Sequence, residues 1–353
     1  MAAHHGSGFR LAVVNPGGRD PEQDFGAGTF APANAAHAPV NFHAYAACTG
    51  GTFFRDVSRA SASELPVLLL LRGDFRSAER ALRSLHAVGR TVAISFKETG
   101  LHQIAAQLSD PTRLARFIEI VGQADGCIAT TPEAAEVYRN VSRNADSVEF
   151  IPTPYPLHDP RWDFSIDVEQ REGIFVGTRE WDVPSRNHAA ALFAARSLSD
   201  NTGARVTVHN VDGRRGERLL SRIGFAPDRL RLLGQRMTYP EYLRSLAEHQ
   251  IVLEMDTSFV PGQVAGDALL CRLPCVGGNG AIDRLGHPQT CGAGRSGEEL
   301  MEIAARLLTD PEFHQRTVSE SQRRAREQIS FDRVAEQLAH FFSQLPRRCA
   351  TAA

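Results

Sequence analysis

Lysine is nearly missing from this sequence: of 39 basic side chains in 353 residues, 38 are arginine, and the single lysine is Lys97, in "ISFKETG". Long apolar runs are missing too. None approaches the roughly 18–20 residues of a membrane-spanning helix, and the longest, "LPVLLLL" (65–71), has the length of a strand. No apolar stretch follows the first residues, so no signal peptide is expected. The six cysteines contain no CxxC pair, and "CRLPC" (271–275) has no paired histidines at zinc spacing. No metal site is therefore expected, and the cysteines read as small buried hydrophobes of a reduced, cytoplasmic protein. Net charge is nearly absent, at −2, which gives no electrostatic reason to expect nucleic acid as a partner. No GxSxG, P-loop, kinase set or paired-histidine motif occurs.

What remains is a rhythm of apolar strand, polar turn and amphipathic helix. "FRLAVVNPGG", "PVLLLLRGD", "TVAISFKETG", "DGCIATTPEAAEVYRN" and "VEFIPTP" each open on a strand. In the fourth, Thr131 is placed to cap a helix that begins at Pro132. Continuous apolar strands alternating with helices predict a parallel sheet covered on both faces. Residues 154–172 are proline-rich, charged and aperiodic and read as a linker; Gly26–Ala38, rich in small residues, reads as a mobile loop. The rhythm then restarts at "EGIFVGTRE" and runs through four more strands. The fold class expected is α/β, with two Rossmann-like doubly wound domains facing a cleft. The boundaries are 1–153, a linker at 154–172, 173–330, and a terminal helix at 331–353 that returns to the first domain.

In open α/β sheets ligands bind beyond the carboxyl ends of the strands, so the strand ends carry the candidates. Gly17 and Gly18 form a tight turn after the first strand without completing GxGxxG. Lys97 and Glu98 end the third, with His102 a turn beyond. Arg179 and Arg186 follow "IFVGT" and suit a diphosphate, although in an arginine-rich chain a solvated loop reads the same way; Asn187 is placed to cap the next helix. Pro261 and Gly262 open a helix whose free N–H groups form an anion site, and Asp267 lies inside that helix, within reach of a ribose hydroxyl. A helix–strand unit with a polar loop fits the same pattern. His43, alone on a helix, reads as structural.

In their order, "FKET", "ADGCIATTPEAAEVY", "VEFIPTP", "FVGTRE…SRNH", "RLRLLGQ…YPEYL" and "DTSFVPGQVAGDALLCRLPCVGGNGAIDRL" resemble the GT-B glycosyltransferases, the retaining family-4 type in particular. The resemblance covers about residues 90–330 and implies a hexosyltransferase acting on a nucleotide-diphosphate sugar, with no metal and no other cofactor. It implies that Asp267 holds the ribose, that Arg179 and Arg186 neutralise the leaving diphosphate, and that Gln235 and Met237 frame the base. Pro261 and Gly262, with the Gly17–Gly18 turn, would face the donor. Lys97 stands where the family often has histidine, and with Glu98 is the candidate catalytic pair. Phe259 stands where the family has the first of two glutamates. The acceptor class stays open: glycan, lipid-linked glycan, small molecule or protein. Two other readings stay open as well, a non-catalytic GT-B shell that supports a partner glycosyltransferase, and a sugar-nucleotide epimerase.

Overall fold

The computed structural model describes residues 8–26, 38–178, 181, 183–210 and 213–346. Most of the stretch 26–38, and Arg179, lie outside them. The chain divides into two compact units, Met1–His158 with Ile329–Ala353, and Asp159–Gln328.

The first unit is built on seven strands: β1 (Ala12–Val14), β2 (Gln23–Asp24), β3 (Thr52–Phe54), β4 (Val67–Leu71), β5 (Val92–Phe96), β6 (Gly126–Ala129) and β7 (Val148–Phe150). Their order is β2-β3-β1-β4-β5-β6-β7, parallel throughout except for β2, which pairs antiparallel with β3. Every residue of β4 and β5 is buried, because both faces of the sheet are covered. Val67, Leu69 and Leu71 pack on one side with Phe75, Phe117 and Tyr138. Leu68 and Leu70 point to the other side, into a cluster with Phe42, Val334 and Leu338. The last helix, Phe331–Gln344, thus completes the core of the first unit across the 170 intervening residues of the other. Thr131 caps its helix as its sequence predicts, its hydroxyl accepting from the Ala134 N–H at 3.1 Å.

The second unit holds β8 (Ile174–Thr178), β9 (Val206–Asn210), β10 (Leu230–Leu233), β11 (Ile251–Leu253) and β12 (Cys275–Val276), all parallel, in the order β10-β9-β8-β11-β12. The first strand is central, and the chain reverses its direction of travel between β8 and β11, which is where a doubly wound sheet opens a ligand crevice. Residues 154–172 are divided between the units at His158. Their later half is packed: Trp162, 1% exposed, lies against Phe164 and Tyr239, and the buried Arg171 guanidinium donates to the carbonyls of Ile166, Cys271 and Arg272.

Candidate functional site

Each unit gathers polar groups at its strand ends. In the first, β1, β4 and β5 are neighbours, so the residues that follow them converge. Lys97 is one residue past the β4–β5 ladder, its N–H bonded to the Leu71 carbonyl at 2.8 Å. Its ammonium lies 3.3 Å from Asp20 Oδ2 and 5.6 Å from the centre of the Phe42 ring. Asn15, fully buried, donates from Nδ2 to the same Asp20 oxygen at 3.0 Å. Arg72, after β4, donates to the Gly17 carbonyl at 3.0 Å and so ties down the Gly17–Gly18 turn.

Two acceptor atoms in this cluster are enclosed without a donor, Asn15 Oδ1 and Glu98 Oε2. The Asn15 amide cannot be reversed to cure this, since the Asp20 carboxylate accepts only and must face the NH₂ group. Buried acceptors left open at a strand end are what a hydroxyl-bearing ligand would satisfy. Burial pushes the Glu98 carboxyl above its ordinary value; the nearby Arg72 and Lys97 charges oppose the rise. His43 bonds the Pro21 carbonyl at 2.9 Å and stacks on Phe53, a structural role. His102 lies half-buried on helix Leu101–Leu108.

In the second unit the loops after β8 and β11 are stitched together. Arg186 is ion-paired with Asp256. Thr257 N–H bonds the Ser185 carbonyl at 2.8 Å, the Ser185 and Ser258 hydroxyls meet at 2.8 Å, and Ser258 N–H bonds Asp256 Oδ1 at 2.7 Å. Asn187 sits at the helix start expected of it, but its backbone is left-handed (φ 50°) and its side chain caps nothing there. Its amide instead donates to Met255 O and Thr257 Oγ1, at 3.0 and 3.1 Å. Arg186 is therefore an anchored cation at the β8/β11 crevice.

The helix Gln263–Leu270 begins after Pro261, with Gly262 left-handed (φ 88°) at its cap position. Asp267 faces inward. It is 1% exposed and accepts from the Tyr239 hydroxyl at 2.5 Å. The reason is the helix itself, buried from Ala265 to Leu270, so that a carboxylate there needs an internal donor. Tyr239→Phe removes that donor and is expected to destabilise the second unit by about 1–3 kcal/mol in urea unfolding. Gln235 is exposed and Met237 half-buried on the loop after β10, two strands from β8.

Sequence reasoning missed an acid pair at the ends of β11 and β12. Glu254, Cys275 and Asp283 bring their side-chain ligand atoms within 4.8 Å of one another, and among the described residues they are the one group with metal-ligand spacing. The Cys275 thiol donates to Glu254 Oε1 at 3.4 Å. Asp283 lies against the backbone of Gly262, Gly278 and Gly280, where a Cβ would come within 3 Å of its carboxyl oxygens. Burial raises the Asp283 carboxyl to about 6, and burial followed by the Asp283 and Asp256 charges raises Glu254 well above its ordinary value. The two carboxyls are best satisfied by sharing a proton, which supplies the neutralisation a cation would. Gly277 shapes this corner: at φ 99° and with the Glu254 carbonyl where a Cβ would stand, no other residue fits. The sequence signal was present in "IVLEMD" and "GGNGAID", acids directly after a strand and after a glycine turn.

No protein-family profile matches this chain, and no curated protein does. Solved structures do. Anabaena Alr3699/HepE in complex with UDP aligns over 96% of this chain and 100% of its own, with a TM-score of 0.64 and 14% identity. Trehalose-6-phosphate synthase, OtsA, aligns over the same shares with a TM-score of 0.65 and 11% identity. TarM aligns over 79% of this chain and 55% of its own, with a TM-score of 0.58 and 11% identity. The chain has the GT-B fold, with two Rossmann-like units. Among the described residues no helix is long and apolar enough to cross a membrane.

Proposed function

We infer that this protein is a glycosyltransferase that moves a hexosyl group from a nucleotide-diphosphate sugar to an acceptor hydroxyl. The observation that carries this is likeness along almost the whole chain to HepE, which has been solved with UDP and with UDP-glucose, together with polar clusters at the strand ends of both units. Retention of anomeric configuration follows from the family-4 resemblance, and the reduced cysteines favour action in the cytoplasm.

The barrier in such a reaction lies in positive charge developing on the sugar and negative charge on the departing phosphate. The second unit meets the phosphate with Arg186, held by Asp256, with the N–H groups that open helix Gln263–Leu270, and with Arg179. Arg186 and the helix N–H groups are held in place and need no reorganisation as charge develops, so the leaving group is neutralised by the protein's own cations, without a metal. Asp267, the resemblance's candidate for the ribose, is enclosed and bonded to the Tyr239 hydroxyl, so its part is to hold Tyr239 in place; Gln235 with Met237 is the candidate for the base. In the first unit Glu98 receives the acceptor hydroxyl, positions it and takes its proton as the new bond forms. Lys97, whose ammonium sits 5.6 Å from the centre of the Phe42 ring, offers a compact charge to a ligand oxygen where a broad guanidinium would crowd it.

The test is release of free UDP, GDP or TDP from the matching nucleotide sugars, with a panel of hydroxyl acceptors and with water alone. Release that depends on the protein is the expected result. Binding without release would favour the non-catalytic shell, and conversion of the sugar while it stays on the nucleotide would mark an epimerase.

A further inference from the structure

The second unit has a pocket of about 330 Å³ at the amino ends of its strands, the end of the sheet away from the β8/β11 crevice. None of the sugar chemistry above uses it. Its floor is polar and enclosed: Thr207, on β9, is 4% exposed, and His249, just before β11, is 3% exposed. The His249 ring packs edge-on against Phe175, with centres 5.2 Å apart, and its Nδ1 meets the Leu246 carbonyl at 3.2 Å. A carbonyl only accepts, so Nδ1 carries the hydrogen. Burial holds the imidazole below its ordinary pKa, so the ring is neutral and Nε2 is a bare acceptor. Among the described residues nothing bonds to that Nε2 or to the Thr207 hydroxyl. Polar groups this buried normally have partners, and here the open side is the pocket.

The rim carries charge of both signs in equal measure. Arg205 lies 3.9 Å from Glu172, Arg229 lies 3.8 Å from Asp228, and Arg231 lies 3.4 Å from Glu248. None of these is a close two-pronged pair, so the guanidiniums keep donors for a ligand. Arg231 is the register partner of Thr207 between β10 and β9, so both side chains leave the same face of the sheet. Three guanidiniums against three carboxylates leave little net field to attract a simple anion. A ligand that carries both signs finds a partner for each.

We propose that this pocket is a second ligand site, for a small zwitterion of the α-amino acid class: its carboxylate takes the Arg205 and Arg231 guanidiniums and the Thr207 hydroxyl, and its ammonium donates to His249 Nε2 and the Glu248 carboxylate. The guanidinium fork matches a carboxylate, and an ammonium brings three donors to acceptors that have none. The site is independent of the nucleotide-sugar reading, because it lies at the opposite ends of the same strands.

The experiment is calorimetric binding to the intact protein of the standard amino acids, of propionate and inorganic phosphate, which carry negative charge alone, and of propylamine, which carries positive charge alone. Wild type is compared with Arg231→Ala, Thr207→Val and His249→Phe. At least one amino acid should bind, with propionate, phosphate and propylamine each weaker by about 10–100-fold, the worth of a lost charge-assisted hydrogen bond. Each variant should weaken the amino acid while leaving nucleotide-sugar binding as it is in wild type. His249→Phe keeps a ring against Phe175 but lacks Nε2, and Arg231→Ala trims an exposed side chain, so its folding is not at stake. Failure of every amino acid to bind wild type overturns the proposal. So does propionate or phosphate binding as tightly as the amino acid, which would mark a plain anion site. Amino-acid binding untouched by Arg231→Ala and Thr207→Val would place the ligand elsewhere and overturn it as well.

Discussion

Glu98→Gln is expected to lower the rate of sugar transfer by about 10²–10⁴-fold, the ordinary worth of a positioned proton acceptor, while nucleotide affinity changes little. The amide is the same shape and still accepts a hydrogen bond, but it cannot take a proton. The case for Glu98 is its setting: a carboxyl oxygen enclosed without a donor, raised in pKa by burial and steadied by Arg72 and Lys97. A base whose pKa is raised must lose its proton before it works. Wild-type kcat should therefore fall on the acid side of a midpoint above the usual carboxylate range, and that limb should vanish in the Gln variant. Lys97→Arg, which keeps the charge but broadens the head group, should also slow transfer, and its effect should appear in kcat more than in nucleotide binding. Equal rates for wild type and Glu98→Gln across pH would remove Glu98 from the mechanism.

Glu254→Gln is expected to make the second unit more stable at pH 8, by roughly 1–3 kcal/mol on the scale of 1.36 kcal/mol per pKa unit. The sign follows from linkage. Unfolded, the Glu254 and Asp283 carboxyls titrate near about 4; folded, burial raises Asp283 to about 6 and lifts Glu254 well above its ordinary value. The folded state therefore holds more protons, and its stability is fully present below the unfolded values and falls as pH rises through the folded ones. Asp256 and the Cys275 thiol face the same pair, and neither offsets the second charge. Glutamine leaves one carboxylate and supplies an N–H for Asp283 Oδ1, which is enclosed without a partner. Urea midpoints at pH 5 and pH 8 measure this. Wild type should lose stability across the interval and the variant should lose much less; a variant weaker than wild type at pH 8, with the slope intact, would show that the pair does not share a proton.

The parts of the fold that could be read in the sequence are those where one local pattern decides. "PVLLLL" is apolar at every position and "TVAISF" at most of them because both sheet faces are covered, and that pattern places Lys97 and Glu98 at a strand end before any coordinates are known. Thr131–Pro132 announces its helix start for the same local reason. The readings that needed more depended on partners far along the chain. Asp267 points inward because Tyr239, 28 residues earlier, supplies its donor. Asn187 leaves its helix end for the β11 loop, 68 residues away. Glu254 and Asp283 meet only because β11 and β12 are parallel neighbours. The packing of Trp162 and Arg171 was hidden by the proline and charge around them.

The central claim is that the second unit binds a nucleotide-diphosphate sugar through the strand ends of β8 and β11. Thermal unfolding of the intact protein with UDP-, GDP- and TDP-sugars tests it most directly, because a ligand that binds the folded state raises its stability by mass action. The account predicts a concentration-dependent rise in melting temperature with one nucleotide series, with the rise weakened in Arg186→Ala. A melting temperature unmoved by all three series at millimolar concentration would contradict it.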